Sequence, residues 1–95
     1  MTVDTAALAQ VCERNDIVRL RLFGSAARGE AGPDSDIDLL ADFGRRKSLL
    51  DLVRIEQEFE QALGQPVDLL TEAGLSPYLR PRILREARVV YERAA

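Results

Sequence analysis

The sequence predicts an α/β (α+β) fold: a small mixed β-sheet of three to four strands with helices packed against it, in one domain spanning residues 1–95. Three observations lead there. Segments of helical period and of period two alternate along the chain in the order α-β-α-β-α-β-α(-β), which is the order of a layered sheet-and-helix domain. Hydrophobic residues make up 46% and charged residues 31%, the balance of a globular chain able to form a core. With 95 residues there is chain for one core and one domain.

Helical spacing of Leu8, Val11 and Cys12 predicts a first helix over Thr5–Arg14, capped by Asp4 or Thr5. From Ile17 the period changes to two, with Val18, Leu20 and Leu22 alternating with Arg19 and Arg21, as in a strand covered on one face. That strand runs into Phe23-Gly24-Ser25, followed by a short helix-forming piece at 26–28 and a Gly/Pro/Asp/Ser loop over 29–35. Residues 36–43 read as a second strand, and 44–47 as a basic turn. Ser48 with Asp51 forms a capping-box-like start to an amphipathic helix whose apolar stripe is Leu52, Ile55, Phe59, Ala62 and Leu63, ended by Gly64. A third strand follows over 66–70, with Pro66 at its start. Ser76-Pro77 opens a further helix to about Glu86, in which Pro81 predicts a kink or a split. Residues 88–92 form a short last strand or an extended tail.

Composition narrows the chemistry. The chain has no His, which removes imidazole bases and His-dependent triads and zinc motifs. One Cys removes intrachain disulfides and multi-Cys zinc frameworks, and at helical spacing with Leu8 and Val11 it reads as a small buried hydrophobe. Thirteen Lys plus Arg against sixteen Asp plus Glu give a net charge of −3, so no dedicated DNA-binding surface is expected. No secretory signal pattern and no apolar run of about 20 residues is present, so no membrane partner is expected. A free thiol then fits a reducing cytoplasm. What remains is carboxylates, hydroxyls, Arg and a metal.

Three acids fall where a strand would rather carry Val or Ile. Asp36 and Asp38 are two apart, on one face and about 6.5 to 7 Å apart along the backbone, while Ile37 and Leu39 face a core. Asp68 lies between Val67 and Leu69 on the third strand and reaches the same face if the two strands are neighbours. Clustered carboxylates repel unless protonated or bridged by a cation, and an all-oxygen set selects Mg²⁺ or Mn²⁺. Such a site suits phosphoryl and nucleotidyl chemistry, with two ions about 3.5 to 4 Å apart in its full form. Upstream, Gly24-Ser25 ends a strand and opens a helical turn, where backbone N–H groups and a hydroxyl can hold phosphate oxygens. Arg28, one turn on, either reaches the same anion or pairs with Glu30 or Asp34.

Gly24-Ser25, ten residues, then Asp36-Ile37-Asp38 resembles the GS-x10-DxD signature of the polymerase-β-like nucleotidyltransferase superfamily. The longer string FGSAARGEAGPDSDIDLL looks like its minimal nucleotidyltransferase branch, which is small and prokaryotic. The resemblance implies the nucleotidyltransferase fold, with Asp36 and Asp38 as metal ligands and Asp68 as the third carboxylate, the activator of the attacking hydroxyl. It assigns the nucleoside triphosphate to Gly24 and Ser25, and names ATP as the substrate and Mg²⁺ or Mn²⁺, two ions, as the cofactor. By the same resemblance the expected function is metal-dependent transfer of AMP to a hydroxyl of a partner protein, as the antitoxin of a HEPN-domain toxin. Two alternatives stand beside it: a subunit of a small-molecule, aminoglycoside-like nucleotidyltransferase, and an antitoxin that acts by binding alone. A chain of this length is expected to hold the catalytic core only, so that the acceptor comes from another chain or from a homo-oligomer.

The other charged groups have two readings each. The basic turn 45–47 attracts a nucleotide or RNA, or is solvated. Arg80, Arg82, Arg85 and Arg88 face an acidic partner or the nucleotide, or form a wet helix face. Tyr78 and Tyr91 are read as packing residues.

Overall fold

The structure is a computed structural model in which residues 4–30 and 36–93 are described. The stretch 31–35 of the loop expected over 29–35, and with it the Arg28–Asp34 alternative, lies outside the described residues. The elements run α1 (Thr5–Arg14), β1 (Ile17–Phe23), α2 (Gly24–Ala27), β2 (Ile37–Phe43), α3 (Leu49–Leu63), β3 (Val67–Leu70), a 3₁₀ turn (Glu72–Gly74), α4 (Arg80–Glu86) and β4 (Arg88–Glu92). The strands form one mixed sheet in the order β3-β2-β1-β4. β1 is antiparallel to both β2 and β4, whereas β2 and β3 are parallel and joined through α3.

One face of the sheet builds the main core. Leu20, Leu22, Ile37, Leu39, Ala41, Val67 and Leu69 pack with Leu8, Val11 and Cys12 of α1 and with Ile55 and Phe59 of α3. Burial pushes the Cys12 thiol up to about 12, which fits its reading as a small hydrophobe rather than a reactive group. On the opposite face a smaller cluster, Phe23, Leu40 and Leu75, meets Ile83, Leu84 and Ala87 at α4. The helix caps follow the sequence: Asp4 accepts from the Ala7 N–H, Ser48 and Asp51 complete a capping box, and Gly64 closes α3 with φ 70°.

Four expectations need correction. The register of β1 shifts between Ile17 and Arg19, so Ile17 rather than Val18 is the first fully buried residue, because a bulge rephases the alternation. β2 begins at Ile37, leaving Asp36 just outside it and exposed. On α3, Ala62 is exposed and the buried stripe is Ile55 and Phe59, flanked by half-buried Leu52 and Leu63. The last helix starts at Arg80 rather than Ser76, after turns at 77–79. Pro81 therefore sits in its first turn, where its missing N–H breaks no hydrogen bond and causes no kink.

Two glutamates of α3 do work that periodicity does not reveal. The Val67 N–H donates to Glu60 Oε2 at 3.0 Å, and the Leu69 N–H donates to Glu56 Oε2 at 2.9 Å. β3 is an edge strand, so these carboxylates occupy donors that the sheet itself cannot satisfy. Among the described residues no helix is long and apolar enough to cross a membrane.

Candidate active site

The Gly24-Ser25 and carboxylate motifs meet because β1 and β2 are antiparallel and β2 and β3 parallel. Phe23, the last residue of β1, pairs with Asp38 near the start of β2, and Asp38 pairs with Asp68 on β3. The end of one strand and the beginnings of two others thus share one end of the sheet. On each acid-bearing strand the flanking residues are buried, Ile37 and Leu39 completely and Val67 and Leu69 nearly so. Period two then forces Asp38 and Asp68 onto the opposite face.

Gly24 and Asp38 are fitted to each other. Gly24 has φ +69°, a conformation that L side chains rarely adopt, and a Cβ built there would overlap Asp38 Oδ2. The glycine is needed both by the turn after β1 and by the carboxylate against it. Ser25 follows, half-buried, in the first turn of α2, where backbone N–H groups have no intrahelical acceptor.

The Asp38 carboxyl titrates above the ordinary carboxylate range. Burial is the main cause, followed by the charges of Asp68 and Asp36 and a side-chain hydrogen bond with Asp68. Arg28 pulls the other way. Two carboxylates come within hydrogen-bond reach only when a proton or a cation lies between them, so the pair fits an oxygen-ligated Mg²⁺ or Mn²⁺ by its donor chemistry. Asp36 does not complete such a cluster: among the described residues no three acids form a ready metal-holding group. Asp36 is coupled to Asp38 through its charge, at the point where the chain re-enters from 31–35.

Arg28 takes up the ion-pair reading and stays near the site. Its Nε donates to Glu30 Oε2 at 3.0 Å and its Nη1 to Glu86 Oε2 at 3.1 Å. The second partner, from α4, could not be read from local sequence because it lies 58 residues on. The arginine series after residue 80 divides in the same way: Arg80 pairs with Glu72 and Arg82 with Glu86. Arg21 and Arg19, on the acid-bearing face of β1, pair with Asp42, and Arg21 also reaches Glu72. This network was missed because its members are spread over three elements. Tyr78, read as a packing residue, is instead 93% exposed.

Comparison with known proteins agrees with the motif. The family model for the nucleotidyltransferase domain matches residues 6–90. A Methanocaldococcus jannaschii protein, named as a candidate protein adenylyltransferase, is 50% identical over 74 residues, 78% of this chain and 80% of its own. The protein adenylyltransferase MntA of Thermococcus cleftensis is 40% identical over 87 residues, 92% of this chain and 86% of its own. A solved structure described as a candidate minimal nucleotidyltransferase superposes with TM-score 0.76 at 48% identity, covering 88% of this chain and 86% of that one. The fold is shared more distantly with a complex of a tri-AMPylated Shewanella oneidensis HEPN toxin and an MNT antitoxin, with TM-score 0.72 at 18% identity, covering 94% and 70%. With its signature residues at one end of the sheet, the chain belongs to the nucleotidyltransferase domain family, as one of its minimal nucleotidyltransferases.

Proposed function

We propose that this nucleotidyltransferase moves AMP from ATP to a hydroxyl of a partner protein, a HEPN-domain toxin, and so acts as its antitoxin. The observation that carries the reading is the contact chain Gly24–Asp38–Asp68, which joins the turn after β1 to two carboxylates at one end of the sheet. The naming of the Thermococcus and Methanocaldococcus relatives as protein adenylyltransferases supports the transferred group and the protein acceptor. The AMP-bearing toxin in the Shewanella complex supports the partner class.

In this reading Asp36, Asp38 and Asp68 would hold Mg²⁺ or Mn²⁺, two ions in the full form. When bound there, the metal supplies neutralisation of the triphosphate charge. Gly24 and Ser25 seat the triphosphate by close backbone approach and a hydroxyl, with Arg28 adding positive charge nearby. Asp68 takes the proton of the acceptor hydroxyl. The freed oxygen attacks the α-phosphorus in line, its new P–O bond replacing the bond to the β-phosphate, and pyrophosphate leaves. Positioning and charge compensation carry the rate, which a site without His can supply.

The test is incubation of the chain with labelled ATP, Mg²⁺ and a co-purified HEPN partner, beside the Asp36→Asn/Asp38→Asn double variant. Label on the partner with the wild type, and none with the variant, is the expected result. Label on a small molecule instead moves the chain to aminoglycoside-like chemistry. Equal neutralisation of the toxin by the double variant ends the catalytic account of the antitoxin role.

A further inference from the structure

We propose that a groove between the amino-terminal half of α3 and the β2–β3 edge is the docking site for an acidic amphipathic helix of the acceptor protein. The inference rests on the protein-acceptor reading above and adds where and how that acceptor is held.

The groove is two cavities sharing a floor. One, of about 360 Å³, is bounded by Phe43 and by the basic turn Arg45, Arg46 and Lys47. The other, of about 210 Å³, is bounded by Leu49, Val53 and Leu70. Leu52 and Thr71 line both, so the two are continuous. One half is thus cationic and the other apolar apart from Glu56, whose carboxylate is taken up by the Leu69 N–H.

The apolar half is unusual for a solvent-facing surface. Leu49 is 77% exposed, Leu50 82% and Val53 45%, all within the first turns of α3. The helix already buries its own stripe through Ile55 and Phe59, so Leu49 and Val53, four apart, form a second stripe with no core to enter. A cluster of this kind marks a contact surface better than scattered single residues do.

Charge selects the occupant. The chain is acidic overall at −3, yet this rim is positive. Lys47 is engaged with Asp16 at 3.9 Å and lies over the Phe43 ring at 5.9 Å. Among the described residues, the guanidinium groups of Arg45 and Arg46 meet no carboxylate, and both residues are exposed. The turn that carries them is fixed from below, because the Gly44 N–H donates to the Asp16 carbonyl at 3.0 Å and a Cβ at Gly44 would press on the Asp16 carboxylate. Two free guanidinium groups on a set turn beside an apolar trough fit carboxylates on one flank of an apolar segment.

The backbone selects the mode of docking. At the groove an extended segment could add to the sheet only through the outer edge of β3, and the outward N–H groups of Val67 and Leu69 are already taken by Glu60 and Glu56. Side-chain anchoring by a helix, with apolar residues at i, i+3/i+4 and i+7, remains. Leu70 follows Asp68 by two residues on the same face of β3, so the groove begins about 7 Å from the third carboxylate along the strand. A segment seated there carries its neighbouring hydroxyl toward the reaction centre.

The test uses the full chain without nucleotide and a fluorescent synthetic peptide of about five helical turns. The peptide has Leu at i, i+3, i+4 and i+7, Glu along one flank, Ala elsewhere and a terminal Tyr. Binding is followed by anisotropy, and the expected result is saturable binding that weakens with salt. Arg45→Glu/Arg46→Glu and, separately, Leu49→Ser/Val53→Ser are each expected to weaken it roughly tenfold or more, with thermal unfolding unchanged. The proposal is overturned by absent binding, by equal binding of the peptide with Lys in place of Glu, or by variants that bind as the wild type does. Binding to phosphatidylserine vesicles but not to the peptide replaces it with a lipid surface, and self-association abolished by Leu49→Ser/Val53→Ser replaces it with a second copy of the chain. Because binding is read without ATP, failure of nucleotidyl transfer and failure of docking give separate signals. When the terminal Tyr is labelled in the presence of Mg²⁺ and ATP, the arginine variant is expected to raise KM for the peptide with kcat little changed.

Discussion

The two faces of the sheet are made from the same strands and do opposite things. Toward α1 and α3, the strand residues are apolar and nearly all fully buried. Toward α4, the same strands carry Arg19, Arg21, Asp38, Asp42 and Asp68, and only Phe23 and Leu40 are buried with Leu75. Ile37 and Leu39 hold β2 in place so that Asp38 between them can be unfavourable, and Val67 and Leu69 do the same for Asp68. Stability is concentrated on one face, which leaves the other free to gather like charges.

If the division holds, the closed face should fail by unfolding and the open face by losing chemistry. The largest effect is expected for Phe59→Ala. Phe59 is fully buried among strand and helix side chains, and removing a ring of that size costs about 3 to 5 kcal/mol. A small domain has only about 5 to 15 kcal/mol in total, so a large drop in the urea midpoint should follow, with activity lost only in proportion to the folded fraction.

Asp38→Asn should do the reverse. Nucleotidyl transfer is expected to fall at least about a hundredfold, some 2.7 kcal/mol of transition-state stabilisation. The unfolding temperature without metal should rise. The sign follows from the raised pKa: the folded state holds the Asp38 proton more tightly than the unfolded chain does. That stabilisation is complete below the ordinary carboxylate range of about 4 and is lost as pH rises through the raised value. At neutral pH the ionised group is a net cost, and Asn removes it. Wild-type stability should therefore decline over this window, flatten in the variant, and be restored by Mg²⁺ in the wild type alone. A variant that melts lower than wild type at neutral pH would show that Asp38 contributes packing rather than strain.

Gly24→Ala probes the seam between the faces. The positive φ alone costs about 1 to 2 kcal/mol for a residue with a Cβ, and the overlap with Asp38 adds to it. Both stability and nucleotide binding should drop together, measured by thermal shift with and without ATP. Loss of binding with unchanged stability would mean that the turn relaxes and only the phosphate seat is spoiled.

What could be read in advance follows the same division. The closed face was legible because burial imposes periodicity: α1, β1, β3 and the caps of α3 fall where Leu8, Leu20, Val67 and Ser48 place them. The carboxylates were legible because Asp38 and Asp68 each fall between two apolar strand residues, where the alternation puts a charge on the face opposite the core. The pairing of Asp38 with Asp68 depended on strand order, which local sequence does not encode. Glu56 and Glu60 looked like solvated helix residues, because their acceptors are backbone groups of a strand whose edge position only the assembled sheet defines. Arg28 bonds a glutamate two residues away and another in α4, and only the first was within reach of a local reading. Pro81 shows a different failure: the residue type was read correctly as a helix breaker, but the helix began four residues later than Ser76 suggested, which turned a break into a first-turn position.

The smallest predicted effect is the sharpest test of whether the faces are separable. Ser48→Ala removes the side-chain oxygen that accepts from the Asp51 N–H at 3.1 Å and leaves the reciprocal bond, from the Ser48 N–H to Asp51 Oδ2 at 3.2 Å, without its counterpart. Loss of such a cap costs about 1 kcal/mol. The cost falls on α3, whose Ile55 and Phe59 support β2 and β3 from below and which carries none of Asp38, Asp68 or Gly24. For a domain of this size that corresponds to a fall of about 4 to 8 °C in Tm, with transfer at a temperature well below unfolding left at the wild-type rate. If the rate falls as well, the carboxylates depend on the exact seating of α3, and the closed face positions the chemistry as well as holding the fold.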